Sequence, residues 1–430
     1  MKDSAGTKPP FHMILLLILA GESIFILPFV LARVFRPTFL DVFQLNNFQL
    51  GTCFSIYGIV AFVSYLFGGT LADKFKPRIL IALALFLTAL GGVLMATYPS
   101  YSTMKILFGY WGFTTIFLFW GAMIKATRVW GGIHKQGRAF GFLEGGRGLV
   151  AAGMGSMGVL IFSIFISVDI NEVTLIERKQ AFRYVILFTS LMVSVIGLLV
   201  LFFMKSDNTA GSSSMVKTKR STLSSYRTVI KIPSVWLLMV IILCAYVGYK
   251  LTDVFSLYAK EVMLYDEIES AQVGTFLLYM RPIVCVSVGL LADRSRSSIW
   301  MIFGFLTMLL GALIFASGII SAQLNSFFFL SLIITATGTY AVRTLYFAAL
   351  QEGHIPLAIT GTAIGVISLV GYTPDIFVGP AMGYLLDNSP GETGHQHVFI
   401  MLSVFSIIGF IASIVFYRIT STKGVQIKIN

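Results

Sequence analysis

Charged side chains are scarce in this sequence. Lys, Arg, Asp and Glu make up 12% of the 430 residues, whereas a soluble globular domain carries about 25%. Hydrophobic residues make up 57%, and the mean hydropathy is +0.86. A soluble domain of this composition would have too little polar surface to stay dissolved. The composition therefore predicts a polytopic helical membrane protein.

Motifs for catalysis and cofactor binding are also missing from the sequence. There is no Gly-x-Ser-x-Gly, no Walker loop, no zinc motif and no dinucleotide fingerprint. Cys53, Cys244 and Cys285 are isolated in apolar runs, without metal-ligand spacing or a disulfide pattern. We therefore expect no enzymatic activity, no metal and no cofactor. Any transport must draw its energy from an ion gradient or a counter-substrate gradient.

Twelve apolar stretches are long enough to cross a bilayer, because about 20 helical residues span its hydrocarbon core. A polar, basic segment, 205–232, follows the sixth stretch and has the composition of a flexible linker. The expected domains are a six-helix bundle over 1–204, this linker, and a second six-helix bundle over 233–430. The expected spans are 12–35, 49–73, 78–98, 103–127, 139–167, 183–204, 233–258, 270–292, 299–320, 326–350, 357–384 and 398–418.

The net charge of +12 is explained by where the charges lie. If the N-terminus is cytoplasmic, the inner loops, the linker and the C-terminal tail hold most of the Lys and Arg. The outer loops then hold mostly acidic residues, as the positive-inside rule requires. This distribution predicts a multi-pass protein of a bacterial-type inner membrane with both termini in the cytoplasm. It needs no nucleic-acid partner, and we expect the protein to be a monomer in the lipid bilayer.

An internal repeat relates the two halves. Residues 69–74 read Gly-Thr-Leu-Ala-Asp-Lys at the end of the second span. Residues 289–294 read Gly-Leu-Leu-Ala-Asp-Arg at the end of the eighth span, 220 residues further along the chain. Two related six-helix halves joined by a linker are typical of transporters that work by alternating access. The repeat therefore predicts a secondary transporter.

Residues 69–78, GTLADKFKPR, resemble the loop between the second and third helices of the major facilitator superfamily. The resemblance covers essentially the whole chain. It implies an all-α membrane protein with twelve transmembrane helices in two pseudo-symmetric six-helix bundles. It also implies that the residues of this motif and its repeat help to hold the two halves in one access state of the transport cycle. A carboxylate in the motif can cap a helix end or pair with one. These residues are Gly69, Asp73, Lys74, Arg78, Asp293 and Arg294.

A narrower resemblance is to the organophosphate:phosphate antiporters of that superfamily. It rests on Trp120-x4-Lys125-x4-Trp130 with the following Gln-Gly-Arg at 136–138, and on residues 29–33, 253–262 and 361–372. Arg33 then matches a phosphate-binding arginine. Arg147 stands where the antiporters have a cavity histidine, and Glu144 where they have a neutral polar residue. Their second phosphate-binding arginine is replaced by Gly248, with Lys250 two residues later, so the resemblance implies a related but altered anion site.

Glu144 and Arg147 lie three residues apart and therefore on one face of a glycine-rich helix. A rise of about 1.5 Å per residue places Arg147 close to the middle of the bilayer. Charges at that depth usually line a transport pathway. A guanidinium group there suits a phosphate, sulfonate or carboxylate. The alternative is a structural ion pair with a neighbouring helix.

The other embedded charges leave similar alternatives. Arg33 either binds the anion or extends to the outer interface, and Glu22 is either a proton site or a static partner of a base. Lys250 and Asp253 either serve the site or pair with each other. Together with Glu144 and Arg147, the embedded set holds five basic and four acidic residues, and a surplus of positive charge favours an anionic substrate. The remaining candidates for substrate binding are Arg281 and Arg343. The candidates for proton coupling are Glu22, Asp375 and Asp253.

These patterns predict a twelve-helix secondary transporter for a small organic anion. Its substrate would be a phosphate ester, sulfonate or carboxylate, moved by proton symport or by anion exchange. One alternative is a proton-driven exporter of lipophilic compounds that uses the embedded carboxylates. Another is a transporter-like sensor that signals through the basic linker.

Overall fold

A computed structural model describes residues 10–131, 136–166, 174–204, 229–346, 348–353, 355 and 360–427. Eleven helices in these ranges are long and apolar enough to cross a membrane. We label the spans α1 to α12 in chain order, and α11 is made of two shorter helices. Their bounds are Phe11–Val34, Asn47–Lys74, Pro77–Met95, Tyr101–Thr127, Gln136–Ile164, Leu175–Phe203, Pro233–Glu261, Glu267–Asp293, Ser297–Ala316, Asn325–Leu345, Thr360–Gly371 with Pro374–Asn388, and Glu392–Ile427.

Several helices begin where the sequence offers a cap. Capping boxes, in which a side chain at the helix start and one three residues later satisfy each other's backbone N–H groups, precede α2, α6 and α8. The cap at Thr174 starts α6 eight residues before the expected position 183. The prediction was wrong there because the first two turns of α6 carry charged residues and extend beyond the apolar stretch. The start of α12 at Glu392, before the expected 398, has the same cause.

Irregular segments interrupt four of the spans, among them a π-helical stretch at Phe113–Trp120 of α4 and a 3-10 turn at Thr252–Val254 of α7. Residues Ile26–Val30 of α1 form a π-helical turn around Pro28, which cannot donate a backbone hydrogen bond. This turn lies just before Arg33. The expected eleventh span, 357–384, is not one continuous helix, because α11 is interrupted at Tyr372–Thr373 and resumes at Pro374. Asp375 therefore lies in the first turn of the second piece.

The two halves meet along glycine-lined contacts between α2 and α11 and between α5 and α8. A Cβ on Gly51 would overlap the carbonyl group of Gly379, so α2 and α11 touch backbone to backbone. A Cβ on Gly148 would lie 3.0 Å from Cδ of Pro282, which brings α5 against α8. Small residues permit this close approach between membrane helices. The outward-facing surfaces of α3, α6, α9 and α12 are apolar and exposed, with Leu90, Leu191, Leu310 and Ile411 among them.

The end of the bundle opposite the two termini, which we call the far face, is closed by contacts between the halves. Glu267 of the second half forms ion pairs with Arg178 of the first half at 2.9 Å and with Lys260 at 3.5 Å. Asp41 of the first half contacts the same two bases at 3.4 and 3.3 Å. Asp387 accepts hydrogen bonds from the first residues of α2. The end that carries the termini is called the near face below.

The expected linker, 205–232, lies outside the described residues except for its last four positions. The division of the chain at 204 and 233 therefore stays a prediction.

Candidate functional site

Four charged side chains from three helices form a closed ring between the halves. Arg147 of α5 contacts Glu22 of α1 at 3.0 Å and Glu144 at 2.6 Å. Arg281 of α8 contacts the same carboxylates at 3.5 and 3.2 Å. Each carboxylate thus bridges both guanidinium groups, and the ring links the first half of the molecule to the second. The three-residue spacing predicted that Glu144 and Arg147 share a face, while Glu22 and Arg281 come from distant parts of the chain.

The four members of the ring differ in exposure. The side chain of Glu144 is 44% exposed, whereas those of Glu22 and Arg281 are 3% exposed. A Cβ on Gly145 would meet no atom within 4 Å, while one on Gly148 would contact α8. Glu144 is therefore the member of the ring that a solute can reach most easily.

Arg33 lies on the far-face side of this ring and joins α1 to α7. It is 2% exposed, so the alternative that it extends to the outer membrane interface is wrong, and its role in anion binding stays a prediction. Its Nε contacts Oδ1 of Asp253 at 2.5 Å, and its Nη1 donates to the hydroxyl of Tyr249 at 3.0 Å. Arg33 and Asp253 are 220 residues apart, the same offset as the internal repeat. They therefore occupy equivalent positions of the two halves and face each other between them.

Lys250 and Asp375 form a separate pair. Lys250 Nζ lies 3.4 Å from Oδ1 of Asp375, and the hydroxyl of Tyr246 lies 3.1 and 3.2 Å from the two carboxylate oxygens. Lys250 also lies over the ring of Phe29, with 4.4 Å to the centroid. The alternative that Lys250 and Asp253 pair with each other is wrong, because each has its partner on another helix.

Arg343 of α10 is the one base of the embedded set whose carboxylate partner is missing in the described part of the chain. Its guanidinium carbon lies 3.6 Å from the centroid of the Tyr249 ring. Its Nη1 is buried and makes no hydrogen bond with a described residue. The other four bases pair with the four acids. The surplus positive charge counted in the sequence is therefore located at Arg343.

The sequence reasoning missed the tyrosines of the site. Tyr249 is surrounded by three arginines, with Arg33 and Arg281 at 4.6 and 5.9 Å from its ring centroid in addition to Arg343. Tyr340 lies one turn from Arg343, and its hydroxyl is buried without a hydrogen-bond partner among the described residues. Tyrosine is also enriched at the membrane interface, so a tyrosine in an apolar helix does not by itself indicate a binding site. The spacing of Tyr246, Tyr249 and Lys250 on α7 was the available signal.

The conformational motif is only partly visible. The helices end as the repeat predicts, α2 at Lys74 and α8 at Asp293. The side chains of Asp73, Lys74 and Asp293, and the burial of Gly69, are outside what the structure describes. Arg294 is exposed, and Nε of Arg78 is buried without a hydrogen-bond partner among the described residues.

Comparison with known families identifies the fold. Residues 13–376 match the family model of the Major Facilitator Superfamily. The chain belongs to that family. The predicted fold, an all-α membrane protein with two six-helix halves, is thereby confirmed.

Two relatives from Escherichia coli (strain K12) match most of the chain. The inner membrane protein YqcE is 28% identical over 364 residues, which cover 83% of this chain and 83% of that protein. The inner membrane protein YihN is 25% identical over 425 residues, which cover 97% of each. As a member of the Major Facilitator Superfamily the protein is a membrane transporter, and these two relatives are named inner membrane proteins.

Two solved structures share the fold. One is a bacterial homologue of the human lysosomal transporter Spinster in an inward-facing, unoccupied conformation, with a TM-score of 0.74, 16% identity, and coverage of 96% of this chain and 99% of that chain. The other is a variant of the nucleoside transporter NupG, with a TM-score of 0.70, 13% identity, and coverage of 94% and 100%. At these identities the likeness extends to the fold alone.

Proposed function

We propose that this transporter moves a small organic anion by alternating access and that Arg343 binds the anionic group. The observation that carries the proposal is the unpaired guanidinium of Arg343, which has a buried Nη1 and stacks on Tyr249. A charged donor buried without an acceptor is costly unless a ligand supplies one. A phosphate, sulfonate or carboxylate supplies oxygens with the geometry that a guanidinium group prefers.

The neighbouring charges give the anion a binding site on both halves. Arg147 and Arg281 lie in the ring with Glu22 and Glu144, and Arg33 and Lys250 complete the basic set. An anion that draws Arg281 toward itself would weaken the bonds of Arg281 to Glu22 and Glu144. Because these bonds join the halves, substrate binding and relative movement of the halves would be linked. The resemblance to the organophosphate:phosphate antiporters also favours an oxyanion.

The topology is part of the proposal. We infer that the near face is cytoplasmic, because most of the positive charge of the loops belongs to that side. The structure would then be open to the cytoplasm and closed at the far face. Asp73 and Asp293, with the rest of their motifs, would hold the near-face ends of the halves together in the opposite state. The expected monomer, and the division into two bundles and a linker, also belong to this proposal.

The alternative functions have less support. A proton-driven exporter of lipophilic cations needs an embedded carboxylate that is free for the cation. In the described part of the chain, Glu22, Glu144, Asp253 and Asp375 all have a basic partner. A sensor that signals through segment 205–232 depends on residues that lie outside the described ones.

The test is binding and transport of defined anions by the purified protein. We would measure thermal shifts with glycerol 3-phosphate, isethionate and lactate, which represent phosphate esters, sulfonates and carboxylates. The anion with the largest shift is then used for counterflow in proteoliposomes. Arg343→Ala should weaken its binding roughly 10- to 100-fold, because a hydrogen bond to a charged group contributes about 1.5–3 kcal/mol. Arg343→Lys should retain part of the affinity.

Arg183→Ala is the matched control, because Arg183 is an exposed arginine of α6 at the far face, outside the charged cluster. It should leave the affinity within about twofold, as expected of a surface substitution. Equal affinities of wild type and Arg343→Ala would rule out the assignment of Arg343. If none of the three anions shifts the wild-type protein, whereas cationic dyes do, the anion substrate is wrong.

A further inference from the structure

The Lys250–Asp375 pair lies apart from the arginine–glutamate ring. Glu22 and Glu144 each contact two arginines. Among the described residues, Asp375 has one basic partner, Lys250, and the hydroxyl of Tyr246 is its other hydrogen-bond donor. Asp253 likewise has one basic partner there, Arg33. Loss of the negative charge at Asp375 would therefore release one cation and leave the arginine–glutamate ring intact.

The surroundings of Asp375 are otherwise uncharged. On α7 it faces Tyr246 and Lys250, with Asp253 further along the same helix within electrostatic range. On α2 it faces Tyr57 and Tyr65. Its own helix contributes Tyr372, which stacks on Tyr65 with 6.2 Å between ring centroids. From α1, the ring of Phe29 lies against the ammonium group of Lys250.

A small cavity lies beside Asp375. Its volume is about 10 Å³, and Gly58, Tyr65, Ser368 and Tyr372 line it together with Asp375. A cavity of roughly this size holds one water molecule. The absence of a side chain on Gly58 lets α2 approach closely, because a Cβ there would lie 2.7 Å from the carbonyl carbon of Asp375. A single water at this position would bring a proton to the carboxylate.

We propose that Asp375 is the proton-binding site of the transporter and that a proton bound there releases Lys250 to bind the substrate anion. This inference rests on the proposed function. The proton adds to a carboxylate oxygen of Asp375, and the ion pair with Lys250 Nζ is lost. The surplus charge of the described embedded residues rises from one to two, with Lys250 joining Arg343. An anion neutralises the released cation, so one proton travels with each anion.

The other carboxylates are less suited to this exchange. A proton on Glu22 would leave Arg147 and Arg281 with Glu144 as their shared carboxylate, and two like charges would then face each other. A proton on Asp253 would free Arg33, which already donates to Tyr249 and lies in the contact between the halves. Asp375 is the carboxylate whose neutralisation frees one mobile cation. Lysine suits that role because its ammonium group ends a flexible four-carbon chain.

The test compares anion binding at mildly acidic and mildly alkaline pH, with the anion chosen by the thermal-shift screen. Wild-type affinity should increase on acidification by up to about tenfold per pH unit, the limit for one linked proton. Asp375→Asn should remove this dependence and hold the affinity near the acidic wild-type value. Lys250→Gln should also remove it but hold the affinity near the weaker alkaline value. This opposite pair of outcomes separates proton binding from a merely structural role.

Asp387→Asn is the matched control, with the same chemical change on the same helix at the far face. It should keep the wild-type pH dependence. Infrared difference spectra between the two pH values provide a readout without substrate: a protonated carboxyl band should be present in wild type and Asp387→Asn and absent in Asp375→Asn. If the anions bind and Asp375→Asn keeps the pH dependence, the proton site is wrong. If the carboxyl band behaves as expected but no anion binds, the proposed substrate class is wrong and the proton site stands.

Discussion

At the scale of single residues, the described embedded charges form ion pairs except at Arg343, and Oδ2 of Asp253 is buried without a hydrogen-bond partner among the described residues. Arg147 is 5% exposed and Glu22 is 2% exposed, so neither charge is stabilised by bulk water. The cost of burying an ion pair is recovered only when the partners and the remaining hydrogen bonds are all present. The ring formed by Glu22, Glu144, Arg147 and Arg281 meets this condition, because each arginine uses two carboxylates.

The first prediction concerns this ring. Arg147→Gln leaves Glu22 and Glu144 with Arg281 as their common cation, and we expect a loss of about 3–5 kcal/mol in stability, the usual cost of an uncompensated buried charge. Glu22→Gln combined with Arg147→Gln restores the charge balance and should recover more than half of that loss. Unfolding in detergent, followed by intrinsic fluorescence, measures the double-mutant cycle. Purely additive losses would show that the two side chains are not coupled.

At the scale of helices, glycine decides how closely the halves approach. The residues of α2 and α11 that touch are Gly51 against Gly379 and Gly383 against Asn47. This contact fixes the position of Asp375 relative to Tyr65 and Lys250. The π-helical turn Ile26–Val30 has a related effect on α1. It changes the direction in which the last turn projects, and Arg33 points toward α7 instead of the outer interface.

The second prediction tests the helix contact. Gly51→Val places a branched side chain against the backbone of α11 and should lower stability by roughly 1–3 kcal/mol, as overpacking does. Gly153→Val is the matched control on α5, because a Cβ at Gly153 would meet no atom within 4 Å. It should change stability by less than about 0.5 kcal/mol. Thermal unfolding of both variants gives the comparison, and equal shifts would contradict the backbone-to-backbone contact.

At the scale of the whole molecule, the proposed alternating access makes this structure one of two states. The far face is closed by Asp41, Arg178, Lys260 and Glu267 across the two halves, and the side chain of Glu144 is 44% exposed. Opening the far face must break the two ion pairs that cross between the halves, Arg178 with Glu267 and Lys260 with Asp41, together with the Arg33–Asp253 contact. Partly exposed ion pairs contribute up to about 1 kcal/mol each. The far-face network therefore biases the conformational equilibrium without locking it.

The third prediction measures this bias. Glu267→Gln removes one of the two carboxylates that Arg178 and Lys260 share and leaves Asp41. The open population should rise about fivefold for a change of about 1 kcal/mol. A cysteine at Ser256, which is buried and donates to the backbone of Arg33, reports opening through its reaction with a membrane-impermeant maleimide. The native cysteines are replaced in this background.

The control for that measurement is Glu269→Gln on the same turn of α8. Glu269 accepts from the backbone of Asp266 and makes the capping box of its own helix, and glutamine also serves at this position. Its labelling rate should match that of the parent. If Glu267→Gln and Glu269→Gln label equally, the far-face ion pairs do not influence opening.

The sequence by itself determined the class of the protein, the positions of the spans and the total of embedded charge. These follow from local properties, because hydrophobic length, caps and helical spacing act within one segment. The shared face of Glu144 and Arg147 is such a property, and so is the repeat at residues 69 and 289. The start of α6 was missed because charged residues can continue a helix beyond the bilayer core.

Only the tertiary structure decided which charges pair. Arg33 with Asp253, Lys250 with Asp375 and Arg281 with Glu22 are contacts between different helices. They depend on the rotation and depth of each helix, which are set by the glycine contacts and the π-helical turn. Counting residues gave a surplus of one positive charge and could not assign it to a position. The packing of six helices assigns it to Arg343, because every other base of the embedded set is close enough to an acid to form an ion pair.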